Sequence, residues 1–504
     1  MRRVVGSRCL LALLVLTALA AVYALASIGR PAGVAAGPPA PGRSRARVSA
    51  AVRACPAPGS AGATAAGIAL AASSAGTGQA AVTRLSPAGA ATPPAPLRVL
   101  TQPGRLTQVS VPVSAGAAHG GSQGPAAAGG AAVTTGPARG GVMIEASGAM
   151  ARGLEAEQTD ARGLATAQCQ GPGTDFWFVG PGQRSAADIR LYLMNTDSQA
   201  ADASVGVLTD SGPVLGSTDA GIGVPPHGIV VQSLAGLVHG SRVVALNVTT
   251  SVGRVAPAVL ETSGGGEPGA WLPAAQAPAT SQVLPGLPAA PGGRELYVAV
   301  PGTSNAQVKV TAVTARGSYQ PTGGSGIDLP GGSAAAVALP SLSGIPAAIQ
   351  ISSSVPVTAS MSVPGGAAGA PGAFTAAAAP VQEQGVITGN PGGSGGTCAL
   401  VLSAPQAAAT VSVTELTAAG QASAPREVQL ARGRTTVVTA AAPRQAGRSW
   451  PFAVAVTPLA GSGPVYAARV VGASGAVQSI LPLGSSLSWV PLPAVDDSVA
   501  TAVP

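Results

Sequence analysis

Along much of the chain, apolar and polar residues trade places with a period of two. In Val308-Lys309-Val310-Thr311-Ala312-Val313 the alternation sends apolar side chains to one face and most of the polar ones to the other, which is the pattern of a half-buried β-strand. Gly and Pro interrupt such runs about every 8–12 residues, the rhythm of a sandwich or barrel. Amphipathic helical periodicity of any length is hard to find. The pattern therefore predicts an all-β chain.

The alternating runs recur in a fixed order at intervals of about 100 residues. An opening strand runs into a Pro turn: FWFVGPG at 176–182, LYVAVPG at 296–302 and ALVLSAP at 399–405. A middle strand follows: SVGVLTD at 204–210, VKVTAVT at 308–314 and VSVTELT at 411–417. After a further turn come VPPHGIVVQSL at 224–234, LPGGSAAAVAL at 329–339 and LARGRTTVVTA at 430–440. Each unit closes on a two-strand stretch, at 245–261, 347–363 and 452–471. A degenerate copy precedes these three. It opens at Ala54-Cys55-Pro56, continues through RLTQVSVP at 105–112 and closes with VMIEASGAMARGLEAE at 142–157, stretched inside by Ala and Gly. The Glu and Ala of that closing piece favour a helix, but its match to 347–360 favours strands.

Ahead of the repeats, Arg2, Arg3 and Arg8 precede an apolar run from Cys9 to Ile28, long enough to span about 30 Å of hydrocarbon. Arginines before the run keep the N-terminus in the cytoplasm and send the rest across. Ala24-Leu25-Ala26 is an acceptable small-x-small cleavage site, so a secreted form cut near Ala26 is the alternative to a single-pass anchor. The expected layout is a signal-anchor helix (1–29), a disordered spacer (30–50) and a degenerate β module (51–165). Sandwich modules at 169–263, 294–364 and 397–504 follow, joined by linkers at 264–293 and 365–396. The expected fold is all-β: tandem immunoglobulin- or fibronectin-like sandwiches after a transmembrane helix.

Composition changes this picture little. Charged residues are 9% and aromatics 3% of the 504 residues, while Gly (70) and Pro (46) are abundant, so ordered modules with loose joins fit better than a disordered chain. Charge is +8, nearly all from Arg. Its one dense cluster, Arg43, Arg45, Arg47 and Arg53, lacks the aromatic or helical readers of a nucleic-acid surface and reads as a solvated or lipid-facing spacer. No nucleic-acid partner is expected. Cys55, Cys169 and Cys398 lie beyond the apolar run. They are disulfide candidates in an oxidising compartment, with one thiol left over and the pairing open.

Candidate chemistry is sparse. His119, His227 and His239 fall in turns and form no zinc motif. Gly392-Gly393-Ser394-Gly395-Gly396 has the letters of a nucleophile elbow without the strand-turn-helix setting. Asp197, Asp202, Asp210 and Asp219 lack the spacing of a calcium loop. No metal or cofactor is expected. Phe176, Trp177, Phe178 and Tyr192 are the exception in a ring-poor chain. On a strand, Trp177 faces away from its two Phe neighbours, which makes Trp177 and Tyr192 the binding candidates, as platforms for a sugar or peptide, set against the reading that core and neighbouring module cover both faces.

The anchor, the phrase GPGTDFWFVGPG at 171–182 and IRLYLMNTDSQAADASVGVLTDSG at 189–212 resemble an uncharacterised family of secreted, membrane-anchored actinobacterial proteins, catalogued only as a domain of unknown function. The resemblance implies location and architecture, and no activity. The expected role is a non-enzymatic, membrane-anchored envelope protein serving as scaffold or interaction module, its partners the membrane through residues 9–28 and an envelope protein or cell-wall glycan. The alternative is a glycan-binding accessory protein.

Overall fold

The computed structural model describes residues 45–57, 65–72, 76–112, 140–159, 166–184, 186, 188–214, 221–262, 269–365, 372–392, 396–442, 451–473 and 476–492. It is all-β. The apolar run 9–28 lies outside the described residues, and among those described no helix is long and apolar enough to cross a membrane. Two compact units are present. The smaller contains Arg45 and Ala46 of β1 (Arg45–Arg47) and the C-terminal strand with which β1 forms a two-stranded ribbon, Trp489–Pro491. The larger, Arg47–Ser488, holds four copies of one strand pattern.

In module 1 the strands are β2 (Ala50–Cys55), β3 (Ala65–Ala71), β4 (Gly78–Arg84), β5 (Arg98–Leu100), β6 (Thr107–Pro112), β7 (Val142–Gly148), β8 (Glu155–Thr159) and β9 (Thr166–Gln168). Lettered a to h in that order, they form two antiparallel sheets, a-f-c-d and e-b-g-h. Module 2 repeats the order with β10 (Asp175–Pro181), β11 (Asp188–Met194), β12 (Ala201–Thr209), a split d position in β13 (Gly212–Pro213) and β14 (Ile222–Val224), β15 (Ile229–Ser233), β16 (Val243–Val252), β17 (Ala256–Thr262) and β18 (Ala270–Leu272).

Module 3 has β19 (Ala279–Leu287), β20 (Glu295–Val300), β21 (Ala306–Thr314), d as β22 (Gly317–Tyr319) and β23 (Ile327–Leu329), β24 (Ser333–Ala338), β25 (Ala347–Val363) and β26 (Ala373–Ala376). Here f and g are one strand, β25, which leaves one sheet and enters the other around Pro356, a residue paired in neither; proline is tolerated where no ladder bond is needed. Module 4 comprises β27 (Gly385–Asn390), β28 (Thr397–Ala404), β29 (Ala409–Thr417), β30 (Arg426–Leu430), β31 (Arg434–Ala440), β32 (Phe452–Pro458), β33 (Tyr466–Ala473) and β34 (Ala476–Pro482). The terminal strand Trp489–Pro491 is β35.

This order departs from the seven-stranded immunoglobulin sandwich, where the first strand pairs with the second and the seventh with the sixth. Here strand a pairs with f, while g takes the place beside b. The stretches 264–293 and 365–396, read from composition as linkers, carry β18, β19, β26 and β27, the h and a strands that complete the sheets. Their Gly, Ala and Pro mark short strands and close approaches. In the first of these stretches, carbonyls of Pro288, Ala290, Pro291 and Gly292 converge on the guanidinium of buried Arg294. The spacer assigned to 30–50 likewise ends in strand, at Arg45–Arg47 and Ala50.

Both faces of the sheets are put to use. Inside module 2, Phe178, Leu191, Val205, Leu246 and Val259 share one core. The outer faces then join the modules in a closed cycle. Tyr192, Met194 and Leu260 on the e-b-g-h sheet of module 2 cluster with Ala54 and Met143 on the a-f-c-d sheet of module 1. Tyr297, Ala299, Ala334 and Phe374 carry module 3 onto module 2 in the same way, and Val401, Ala468 and Val470 carry module 4 onto module 3. Ala69, Ala71 and Leu106 of module 1 meet Ala453 of module 4 and close the ring. The h strands stand at its middle, where β26 touches β18 and β34, and β34 touches β9. Radial repetition of four-stranded sheets leaves only short edges exposed, as in propellers, and this chain reaches it with sandwich repeats.

Close approach at these joints demands small residues. Gly286 on β19 adopts φ +94°, and a Cβ there would collide with Ala468 and crowd Ile480 of module 4. Gly286→Ala is expected to cost about 1–3 kcal/mol of stability through overpacking and backbone strain, read as a lower midpoint in urea. An unchanged midpoint would mean the joint gives way freely.

Candidate functional site

The richest polar chemistry in the interior lies where the last module meets the first. Arg469, mid-strand on β33, is fully buried, and so is Glu157 on β8, in a chain where 9% of residues are charged. Arg469 Nη1 donates to Glu157 Oε2 at 2.7 Å, and Nη2 donates to Thr166 Oγ1 at 2.5 Å. A register shift in β27 between Ile387 and Asn390 opens the ladder beside them, the usual way a bulge re-aims backbone groups. There the Thr388 amide donates to Glu157 Oε1 at 2.7 Å and the Thr388 hydroxyl donates to the Ala69 carbonyl at 2.8 Å. Gly389 has no side chain because a Cβ would strike Glu157 Oε2.

A second carboxylate on the same strand, Glu155, accepts from Arg53 Nη2 and Ser486 Oγ, each at 3.2 Å. The cluster thus ties β8 and β9 of module 1 to β27 and β33 of module 4. Its donors and acceptors are largely taken up by one another, so its chemistry is to hold two surfaces together and give the joint one register. No spacing motif announces Glu157 or Arg469. The available signal is a charge inside a run of small apolar residues, GLEAE and VYAARVV.

The sequence-derived binding candidates are covered. Trp177 is 8% exposed and Tyr192 1%, so neither ring presents a face to a sugar. Trp177 shares its strand face with Val179, which packs among module 3 residues. Tyr192 lies in the contact with module 1, its ring 5.4 Å from that of Trp271. Strand alternation put Phe178 in the core and Tyr192 on the neighbouring module, and neither candidate ring is left as a platform.

The disulfide candidates separate into one bond and one thiol. Cys55, ending strand a of module 1, is bonded to Cys169, just after strand h. Cys398 is free and buried, its Sγ donating to Asn390 Oδ1 at 3.4 Å, and burial pushes the thiol up to about 11. Thiolate, the reactive form, is therefore scarce at neutral pH. Peptide mapping after alkylation should find Cys398 unlabelled in the native protein, labelled on denaturation, and Cys55 and Cys169 labelled only after reduction. Native labelling of Cys398 would contradict its burial.

The remaining candidates also resolve. His227 is in a turn, as its prolines suggest, yet it is 3% exposed rather than on the surface, with φ +45° and both ring nitrogens lacking a partner among the described residues. His239 is exposed beside Gln183. His119 and Asp219 lie outside the described residues. Asp197 makes a two-point ion pair with Arg254, which raises the arginine's pKa, and Asp210 accepts from the Arg242 amide. Among the described residues no group of three or more His, Cys, Asp or Glu could hold a metal.

Two hollows among the described residues show what the surface offers. One, of about 20 Å³, lies where β9, β18 and β34 converge, lined by Gln168, Trp271 and Ile480 among others, and has room for about one water. The other is an open groove on module 4 of about 540 Å³ between Ala408 and Ser462, lined without a charged side chain.

The model of a family of unknown function (DUF5719) matches residues 122–441. The match begins between strands e and f of module 1 and ends after strand e of module 4, so it covers three repeat lengths in shifted phase. No curated protein and no solved structure matches the chain.

Proposed function

The chain belongs to that family of unknown function, and on this premise we propose that it is a non-enzymatic, membrane-anchored scaffold of the extracytoplasmic envelope. Its modules are variants of the immunoglobulin-like sandwich. The observation that carries the reading is the closed ring, in which the outer sheet faces pack on neighbouring modules. Such packing stiffens the body and leaves rims and loops among the described residues as contact surfaces. The Cys55–Cys169 bond supports an oxidising compartment, and the Cys9–Ile28 run supports an anchor.

Fractionation of the native host tests this. The protein should stay with membranes through a high-salt wash and be digested by protease added to intact spheroplasts. A soluble product beginning at Ser27 would overturn the anchor, and protection until lysis would overturn the side of the membrane.

A further inference from the structure

We propose that the β1–β35 ribbon is a membrane-docking element that binds the anionic lipid surface beside the anchor. The ribbon leaves apolar side chains exposed: Trp489 is 39%, Val490 38% and Leu492, just beyond the strand, 43% exposed. Arg45 and Arg47 are exposed on the paired strand. Two strands of three residues are marginal in water without a further surface to pack on. Exposed Trp with aliphatic neighbours and flanking Arg is the composition that settles at a bilayer interface: the indole lies at headgroup depth, the aliphatics reach the acyl boundary and the guanidinium groups bond phosphates.

Charge favours an anionic occupant. Residues 1–144 contain twelve Arg and no Asp or Glu, whereas residues 145–504 contain 15 Lys and Arg against 19 Asp and Glu. The +8 of the whole chain is therefore a strongly basic N-terminal part and a slightly acidic remainder. Position agrees, because only residues 29–44 separate the apolar run from Arg45, and that length spans at most about 55 Å when fully extended.

The inference deepens the anchored-scaffold reading and rests on it for which bilayer is met. Its test uses the full chain reconstituted with vesicles of phosphatidylcholine alone, or with a third phosphatidylglycerol, bearing brominated acyl chains. Co-flotation in high salt reads the anchor. Quenching lost in a Trp489→Phe variant reads the ribbon.

The expected result is flotation with both lipids and Trp489 quenching only with the anionic one. Arg45→Ser/Arg47→Ser should lower the docked-to-undocked ratio roughly five-fold per arginine, with an unchanged circular dichroism spectrum and thermal midpoint. Flotation without quenching overturns the ribbon and leaves the anchor standing. Quenching and flotation only with anionic lipid at low salt supports the ribbon and overturns the anchor. Quenching that is equal in neutral lipid, or unmoved by the double substitution, overturns the role given to charge and with it the proposal.

Discussion

Arg469→Ala is expected to destabilise the protein by about 3–5 kcal/mol, because it leaves the Glu157 carboxylate buried without its counter-charge. A carboxylate in that position keeps the Thr388 amide and loses the guanidinium, so the remaining hydrogen bond does not offset the desolvation. The same argument predicts that Arg469→Met with Glu157→Leu recovers much of the loss, since a matched apolar pair removes both charges at once. Equilibrium unfolding in guanidinium chloride of the two single variants and the double variant measures this. If the double variant is no better than Arg469→Ala, the loss comes from packing and not from the stranded charge.

Removing the Cys55–Cys169 bond should cost a similar amount. The bond closes a loop with a sequence separation of 114, and tying off about 100 residues takes roughly 4.7 kcal/mol of chain entropy from the unfolded state in the loop model, with measured losses of about 2–5. The bond joins the first strand of module 1 to the end of its last, β2 to β9, so the loss should fall on module 1. Cys55→Ala/Cys169→Ala should therefore lower the unfolding midpoint, and hydrogen exchange should show protection lost in β2–β9 before β20–β25. Uniform loss around the ring would mean that module 1 has no stability of its own to lose.

The all-β class was legible because Val, Thr and Lys alternate in strands such as β21, whose sides differ sharply in burial. The c, e, f and g positions of modules 2–4 were all found by that alternation. In module 1 neither strand b nor strand c was found, where β3 reads AAGIALA and β4 GQAAVTR: alanine serves either face and gives no period, and RLTQVSVP, read as the middle strand, is strand e. The opening phrases were aligned one strand out of step, since FWFVGPG belongs to strand a of module 2 while LYVAVPG and ALVLSAP belong to strand b of modules 3 and 4. A buried strand with two covered faces shows no alternation to fix its place.

The h strands of modules 2 and 3 and the a strands of modules 3 and 4 were taken for linker because Gly and Pro in them serve close packing at the joints, which composition cannot separate from looseness. Trp177 is buried as the covered-face reading expects, and β10 packs on β20 and β25 of module 3, more than a hundred residues away, a neighbour the sequence does not name. Glu157 and Arg469 stand far apart in sequence, and only the closure of the cycle brings them together.

That closure also sets an order of events in the cell. A chain that emerges N-terminus first can dock module 2 on module 1 and module 3 on module 2 as each appears. The face of module 1 bearing Ala69, Ala71 and Leu106 must wait for the last hundred residues of the polypeptide, those that carry Ala453 and Arg469. Contacts so distant in sequence form slowly, and an apolar face held open meanwhile is a sticky one. A messenger truncated before module 4 would yield a product that folds three-quarters of the way and then associates through its orphaned face. Folding therefore has a single late event on which closure depends: the arrival of module 4.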